Sequence, residues 1–386
     1  MSVAVAPARA EQKSARSSGR FYQPELDALR FFAFLGVFVF HAAPHNRSFY
    51  DAAQVPHWLS SFLISAFGAG AYGVDLFFAL SAYLITQLLL RERETIGVVD
   101  LRSFYLRRIL RIWPLYLSFL VFAVIVGWFI PAQRIEARYL LGFTLLAGNW
   151  VYVFSGLPHS FVVPLWTVSI EEQFYLSWPV IVRRISVTGL ATVSGGLLLS
   201  SHLLRGWMAW KESPANWMEY STFTRLDPIA LGVLLAVCVA KLPKLSGVAR
   251  VVLLLGGVAG MISAYALSTL DHELTVSTWQ LAASHSMTAA ASLAILLAHL
   301  GSRNPFLRNA SLTYLGKISY GLYVVHEFAH MVAKLILPAA TPVRVLLQSV
   351  VALALTIALA AASYRWLESP FLRMKERFAR VQSRPV

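Results

Sequence analysis

Eleven apolar runs follow one another along this chain, near 28–43, 62–90, 112–131, 139–155, 166–183, 187–205, 226–241, 248–270, 279–300, 317–337 and 344–366. A helix needs about 20 largely apolar residues to cross the hydrocarbon core of a bilayer. Most of these runs reach that length and some are short. Composition agrees with membrane burial: 57% of residues are apolar before glycine is counted, 13% are charged, and the mean hydropathy is +0.61. A typical soluble domain is about 45–50% apolar with glycine included and about 25% charged. Disorder and a disulfide scaffold are excluded on the same grounds, since the one cysteine, Cys238, lies inside an apolar run and has no internal partner. Redox chemistry is not indicated. The expected fold is all-α: a polytopic membrane protein of about ten transmembrane helices plus one re-entrant or interfacial segment.

The formal net charge of +14 is read as topology rather than nucleic-acid binding, because the basic residues fall mostly in short segments between apolar runs. The first twenty residues are polar and basic (Arg9, Lys13, Arg16, Arg20) with no short apolar core before a cleavage site, so the first run is expected to stay uncleaved. Three segments are strongly basic: the N-terminal stretch, the 91–111 segment (Arg91, Arg93, Arg102, Arg107, Arg108, Arg111) and the C-terminal tail (Arg373, Lys375, Arg377, Arg380, Arg384). All three are expected on the cytoplasmic side, and two cytoplasmic ends require an even number of crossings. If all eleven runs crossed, Arg183–Arg184, Lys241–Lys244 and Arg303–Arg308 would lie outside and the acidic Asp271, His272 and Glu273 inside. Letting the 139–155 run enter and leave on one side corrects every one of these placements. The expectation is therefore ten crossings with 139–155 as a broken, re-entrant segment, flanked by Gly148, Asn149, Gly156 and Pro158. No internal repeat is visible, which counts slightly against a secondary transporter.

Ionisable residues inside spans are costly, about 2.5–3.5 kcal/mol each on insertion scales, so the few present carry the functional signal. In the first run Asp27, Arg30 and His41 flank or enter the stretch Phe31–Phe40. Arg30 and His41 are separated by about three helical turns, about 16 Å, and face roughly one side. An interfacial arginine and a helix-end histidine would show the same pattern. Asp75 lies well inside the second run, as a functional carboxylate or as a structural pair with Arg30 or another buried arginine. Arg108 and Arg111, three apart on one helical face, suit phosphate recognition through paired guanidiniums, although on spacing alone positive-inside anchoring is the better explanation. Glu171 and Glu172 put adjacent carboxylates into an apolar helix, about 100° apart, so that one can face a polar cavity while the other pairs elsewhere. Arg225 and Asp227 open the seventh run, and His326, with Glu327 beside it, is near the middle of the tenth. No metal site is expected, His41, His45, His57 and His326 being read as outside H-x₃-H or H-E-x₂-H spacing, and there is no cysteine cluster, P-loop, dinucleotide fingerprint or G-x-S-x-G elbow. A nucleotide-driven pump is disfavoured.

These residues together resemble the acyltransferase 3 family of polytopic membrane acyltransferases, from about Pro24 to Arg373. Arg30 and His41 are similar to its R-x₁₀-H motif, and Arg108 with Arg111 to its RxxR motif. Gly73-Val74-Asp75-Leu76-Phe77-Phe78-Ala79-Leu80-Ser81 is similar to GVDLFFVLSG, with Ala82 in place of the final glycine. Trp166 to Tyr175 is similar to WSLSVEEQFY, Arg225-Leu226-Asp227 to an RxD element, Ile318 to His326 to SYGIYLxH, and Tyr364 to Phe371 to YRxIExP. Seven such elements in order and spacing make the resemblance specific.

The resemblance implies O-acylation, usually acetylation, of an extracytoplasmic carbohydrate or other hydroxyl-bearing acceptor, with acyl-CoA supplied from the cytoplasm as co-substrate and no bound cofactor. It also implies a ten-span topology, in a cell (inner) membrane, with residues 24–372 as the membrane domain between basic cytoplasmic segments 1–23 and 373–386. Membrane lipid is the expected surrounding and nucleic acid no partner. Some members carry an appended esterase-like domain; this chain ends shortly after its last span, and transfer is expected to finish in the membrane domain or on a separate partner. In the resulting scheme Arg108 and Arg111 bind CoA phosphates, and Arg30 positions the thioester arm. His41 is the general base or an acyl-carrying nucleophile. Glu171 or Glu172 orients His41, Asp75 pairs with a buried arginine, Arg225 and Asp227 shape the acceptor side, and His326 lines the cavity. The oxyanion stabiliser is not identified. The rival readings are a transporter or flippase of a glycan or lipid-linked substrate, and a membrane sensor or scaffold.

Overall fold

The structure, a computed structural model, describes residues 22–269, 277–338 and 341–381. The acidic 271–273 segment and the basic residues Arg9, Lys13, Arg16, Arg20 and Arg384 lie outside the described residues. Among the described residues all regular structure is helical. The chain runs through α1 (Pro24–Ala42), α2 (Arg47–Ala52), α3 (His57–Gly68), α4 (Gly73–Ile96), α5 (Leu101–Phe129) and the short pair α6 (Ala137–Thr144) and α7 (Gly148–Ser155). It continues through α8 (Trp166–Arg184), α9 (Val187–Trp210), α10 (Ala215–Tyr220), α11 (Leu226–Cys238), α12 (Gly247–Thr269) and α13 (Thr278–His299). Last come α14 (Ala310–Lys317), α15 (Ser319–Ile336), α16 (Pro342–Ser363), a π-helical turn Tyr364–Glu368 and α17 (Ser369–Glu376).

Among the described residues, seven helical stretches are long and apolar enough to cross a membrane: His57–Ile96, Leu101–Phe129, Val187–Trp210, Thr222–Lys241, Gly247–Thr269, Thr278–His299 and Pro342–Glu376. The chain is therefore a multi-pass membrane protein. Three further helices of 18 or 19 residues, α1, α8 and α15, do not combine enough apolar length with few enough charges to join them. The reason is visible in their sequences. Each carries ionisable side chains: Glu25, Asp27 and Arg30 in α1, Glu171 and Glu172 in α8, His326, Glu327 and His330 in α15.

Local signals explain the helix ends. Pro24 occupies the first turn of α1, where its fixed φ suits a helix and its missing N–H costs nothing. Asp100 caps α5 by accepting from the Ser103 backbone N–H at 3.1 Å. The run at 62–90 divides at the 3₁₀ turn Ala69–Tyr72, so Asp75 falls in the first turn of α4 rather than mid-helix. A carboxylate there is favoured by the helix dipole. The division has a packing cause. A Cβ on Gly70 would come 2.1 Å from the Gly36 carbonyl oxygen, and one on Gly73 2.3 Å from that of Ala33, so α1 crosses this turn backbone to backbone.

The 139–155 run is broken, as expected, into α6 and α7 of eight residues each, about 12 Å apiece and too short to cross. The freed backbone at the break is covered by protein. Gln173 donates to the Leu146 carbonyl at 2.9 Å, Tyr116 to that of Phe143 at 2.9 Å, and the Gly148 N–H donates to Ser169 Oγ at 3.2 Å. Irregular backbone is tolerated at membrane depth on that condition.

Candidate active site

α1 is buried on most of its circumference and lies between α4 and α15. Its Arg30 projects into two adjoining cavities. Both are lined by Arg30, Ser81, Arg108, Arg111 and Tyr175. One opens past Tyr22, Gln23 and Asp27 at the start of α1; the other reaches inward to Thr167, Tyr320 and Tyr323. The i, i+3 spacing on α5 thus does what the sequence suggested and turns Arg108 and Arg111 to one face. Arg108 lies over the rings of Phe104 and Tyr175, with its guanidinium carbon 5.6 and 5.5 Å from their centroids. Among the described residues, none of the three guanidiniums has a carboxylate within 4.0 Å. Three like charges are gathered in one cavity without a counter-ion in contact, an arrangement suited to a multiply charged anion.

The adjacent carboxylates of α8 part company. Glu171 lines the inner cavity beside Ser81 and Tyr175. Glu172 is buried and accepts from the Trp113 indole N–H at 3.1 Å. Neither is the carboxylate in contact with His41, which corrects the orientation role expected for them. That position is taken by Glu327, whose Oε1 is 2.9 Å from His41 Nδ1. The physical reason is register: α15 packs directly on α1, whereas α8 meets the bundle across the cavity. His326 is fully buried, its ring 5.2 Å from that of His41 and 5.5 Å from that of Tyr323. The inner cavity, whose wall includes Tyr323, therefore ends one ring away from the histidine cluster.

Asp75, Arg225 and Asp227 lie elsewhere. Arg225 donates to Asp75 at 3.1 Å and to His285, and lies 3.9 Å from Glu219. The other nitrogen of His285 is 3.1 Å from Glu219. Asp227 instead pairs with Arg205 at 2.8 Å, and Arg205 also donates to Ser201, to the Thr224 carbonyl and to Ser286. Arg225 and Asp227, two residues apart, thus point at different partners, and neither lines the cavities. Burial pushes the Glu219 carboxyl up, but His285 and Arg225 outweigh it and hold it down at about 2.

The histidine inventory also needs correction. His41-Ala42-Ala43-Pro44-His45 has H-x₃-H spacing, and His326-Glu327-Phe328-Ala329-His330 has H-E-x₂-H spacing. The first is broken by the end of α1 at Ala42, and His45 turns back to donate to the Phe40 carbonyl at 2.6 Å. The second lies intact on α15, with the His330 ring stacked 4.5 Å from Phe38. Glu327 and His330 were thus legible from spacing. Arg205, Glu219 and His285 carry no motif, and only the packing reveals them.

Comparison with known proteins follows the same outline. The sequence model of a family described as an acyltransferase domain matches residues 23–365. The chain is 28% identical over 381 residues to the protein named "Putative O-acetyltransferase SAS0844" from Staphylococcus aureus strain MSSA476, covering 91% of this chain and 57% of that protein. It is also 28% identical over 374 residues to the O-acetyltransferase OatA of Staphylococcus aureus strain NCTC 8325 / PS 47, covering 90% of this chain and 57% of OatA. The chain therefore spans little more than half the length of these curated relatives. No solved structure gives a significant match.

Proposed function

Since the chain belongs to the acyltransferase 3 family, matched over residues 23–365, we propose that it is an integral membrane O-acyltransferase. It moves an acyl group, acetyl by default, from cytoplasmic acyl-CoA to a hydroxyl of an extracytoplasmic carbohydrate or related acceptor. The observation that carries this reading is the pair of joined cavities with Arg30, Arg108 and Arg111 where they meet and Tyr323, beside the histidines, at the inner end. Paired guanidiniums are suited to the phosphates of CoA, and an apolar inner wall of Val74, Phe77, Phe78 and Ile112 to the pantetheine arm.

In this scheme Glu327 holds His41 Nδ1, leaving Nε2 bare to act as base. His41 takes the proton of the acceptor hydroxyl as its oxygen forms a bond to the thioester carbonyl. The C–S bond then breaks, and the proton passes to the departing CoA thiolate. His326 and Glu171 line the path, and Glu172, Asp75, Arg225 and Asp227 are framework.

Topology supports the same direction of transfer. Counting α1, α8 and α15 as crossings beside the seven apolar stretches gives ten, with α6 and α7 taken as the segment that returns to its own side. Both termini then lie in the cytoplasm of a cell with its acyl-CoA pool, and His41 lies towards the outer face.

The test is release of free CoA from acetyl-CoA by the purified protein in nanodiscs with candidate glycan acceptors. Wild type should release CoA, His41→Ala should not, and Arg108→Ala/Arg111→Ala should need more acetyl-CoA. If acetyl-CoA and other acyl donors neither bind nor turn over, the assignment fails.

A further inference from the structure

His326 Nδ1 lies 2.6 Å from the Tyr323 carbonyl oxygen. A carbonyl only accepts, so Nδ1 carries the proton and Nε2 is a bare lone pair. That lone pair is buried, has no hydrogen-bond partner, and lies 3.8 Å from Glu327 Oε1. Glu327 Oε1 is also buried and lacks an aligned hydrogen bond, although His41 Nδ1 is 2.9 Å away. Two acceptors facing each other across a buried gap repel unless something electropositive lies between them. One ligand atom from each of His41, His326 and Glu327 can be chosen so that all lie within 4.8 Å of one another. Tetrahedral zinc with bonds of 2.0–2.1 Å places its ligand atoms about 3.3 Å apart, so side-chain adjustments below about 1 Å would close the site. His326 and Glu327 come from the H-E-x₂-H stretch of α15, and His41 from α1.

We infer that His41, His326 and Glu327 form a binding site for a divalent transition metal of the zinc class, and that metal occupancy shuts off acyl transfer. Nitrogen and carboxylate donors in this mixture select such ions over magnesium or calcium. The exclusion follows from proton placement. With the proton on Nδ1, the nitrogen beside Glu327, His41 keeps Nε2 bare and can act as base. Metal on Nδ1 moves the one imidazole proton to Nε2, which can then accept none. The blocking step rests on the acyl-transfer reading; the site itself does not.

The test uses the full chain in nanodiscs, stripped with EDTA and then titrated with Zn²⁺ by calorimetry and with Co²⁺ by visible absorption. One equivalent should bind, with the Co²⁺ bands of a four-coordinate site. His326→Gln and Glu327→Gln should each weaken binding by about tenfold or more, since loss of a ligand should cost at least as much as loss of an outer-shell partner. Gel filtration and melting curves identify any variant that fails to fold, and the other then decides. In wild type, Zn²⁺ should abolish CoA release and EDTA restore it. Absence of saturable binding, or equal affinity in both folded variants, overturns the site; CoA release that persists at saturating Zn²⁺, or that requires Zn²⁺, overturns the blocking role. Stoichiometric Co²⁺ binding in a protein that never releases CoA, even when stripped, supports the site and counts against acyl transfer alone.

Discussion

Around Arg30, Arg108 and Arg111 the cavity walls gather three guanidiniums against two carboxylates, Asp27 and Glu171, neither in ion-pair contact with them, whereas Arg225 and Arg205 each touch a carboxylate. Both regions bury arginines within one helical bundle. The difference lies in satisfaction. A buried charge that is paired and hydrogen-bonded can be framework, and removing one partner strands the other. Charges gathered without partners repel one another and favour whatever anion enters. The balanced network around Arg225 therefore reads as architecture and the unbalanced one as a binding site, although both regions looked alike as isolated ionisable residues in apolar runs.

The strongest way to break this comparison is Arg225→Leu, which leaves Asp75 and His285 without their donor. Loss of one partner of a buried pair costs about 3–5 kcal/mol, so the melting temperature in detergent should collapse or monodisperse protein should be lost. Asp75→Leu/Arg225→Leu should recover much of it. A single variant that melts like wild type would move this network from architecture to function.

Arg108→Gln/Arg111→Gln tests the other side. Each lost charge-assisted bond is worth about 1.5–3 kcal/mol, so acetyl-CoA affinity measured by calorimetry should fall about tenfold or more per arginine. Melting should be unchanged or raised, because a repulsion is relieved. A large drop in stability would make these arginines structural as well.

Glu327→Gln sharpens the division between binding and chemistry. As a positioning residue for His41 it should lower kcat by about tenfold or more while the KM for acetyl-CoA stays constant. Equal changes in both would place Glu327 at the donor site instead.

The smallest effect is expected at the exposed rim of the bundle, where Arg380 donates to Asp100 at 2.8 Å. Hydrogen bonds from Ser103, and then from Arg380, hold the Asp100 carboxyl well below the usual range. A carboxylate with a depressed pKa stabilises the fold above its unfolded value near about 3.9, and the contribution fades as pH falls through and below that value. Arg380→Ala should therefore lower stability by no more than about 1 kcal/mol at neutral pH. The gap from wild type should narrow on acidification below about pH 4; a gap that widens there would contradict the assignment.

Much of the fold is legible because membrane insertion is a local property. The runs that became α5, α9, α12, α13 and α16 stand out by length and hydropathy alone. The break at 145–147 was signalled by Gly148, Asn149 and the short length of its run. The division of the second run at Ala69–Tyr72 was not, because it arises from the close crossing with Gly36 and Ala33 on α1, far away in sequence. Within the site, helical spacing puts Arg108 and Arg111 on one face without saying what they bind, and Glu327 with His330 stands in an H-E-x₂-H pattern that the expectation of no metal site passes over. His285 and Glu219 were not, since nothing in the local sequence marks a residue whose role is to satisfy a distant arginine.

By itself, then, the sequence determined that the chain is a helical membrane protein of this family and that its candidate ionisable residues within apolar runs fall on α1, α4, α5, α8, α11 and α15. Hydropathy and helical periodicity act over a few turns and leave their mark in the order of residues. Only the tertiary structure decided which carboxylate meets which cation: Glu327 rather than Glu171 or Glu172 on His41, Arg225 on Asp75, and Arg205 on Asp227. Those choices follow from how helices distant in the chain rotate and slide against one another. Contacts across a bundle depend on the packing of every helix at once, which no single stretch of sequence encodes.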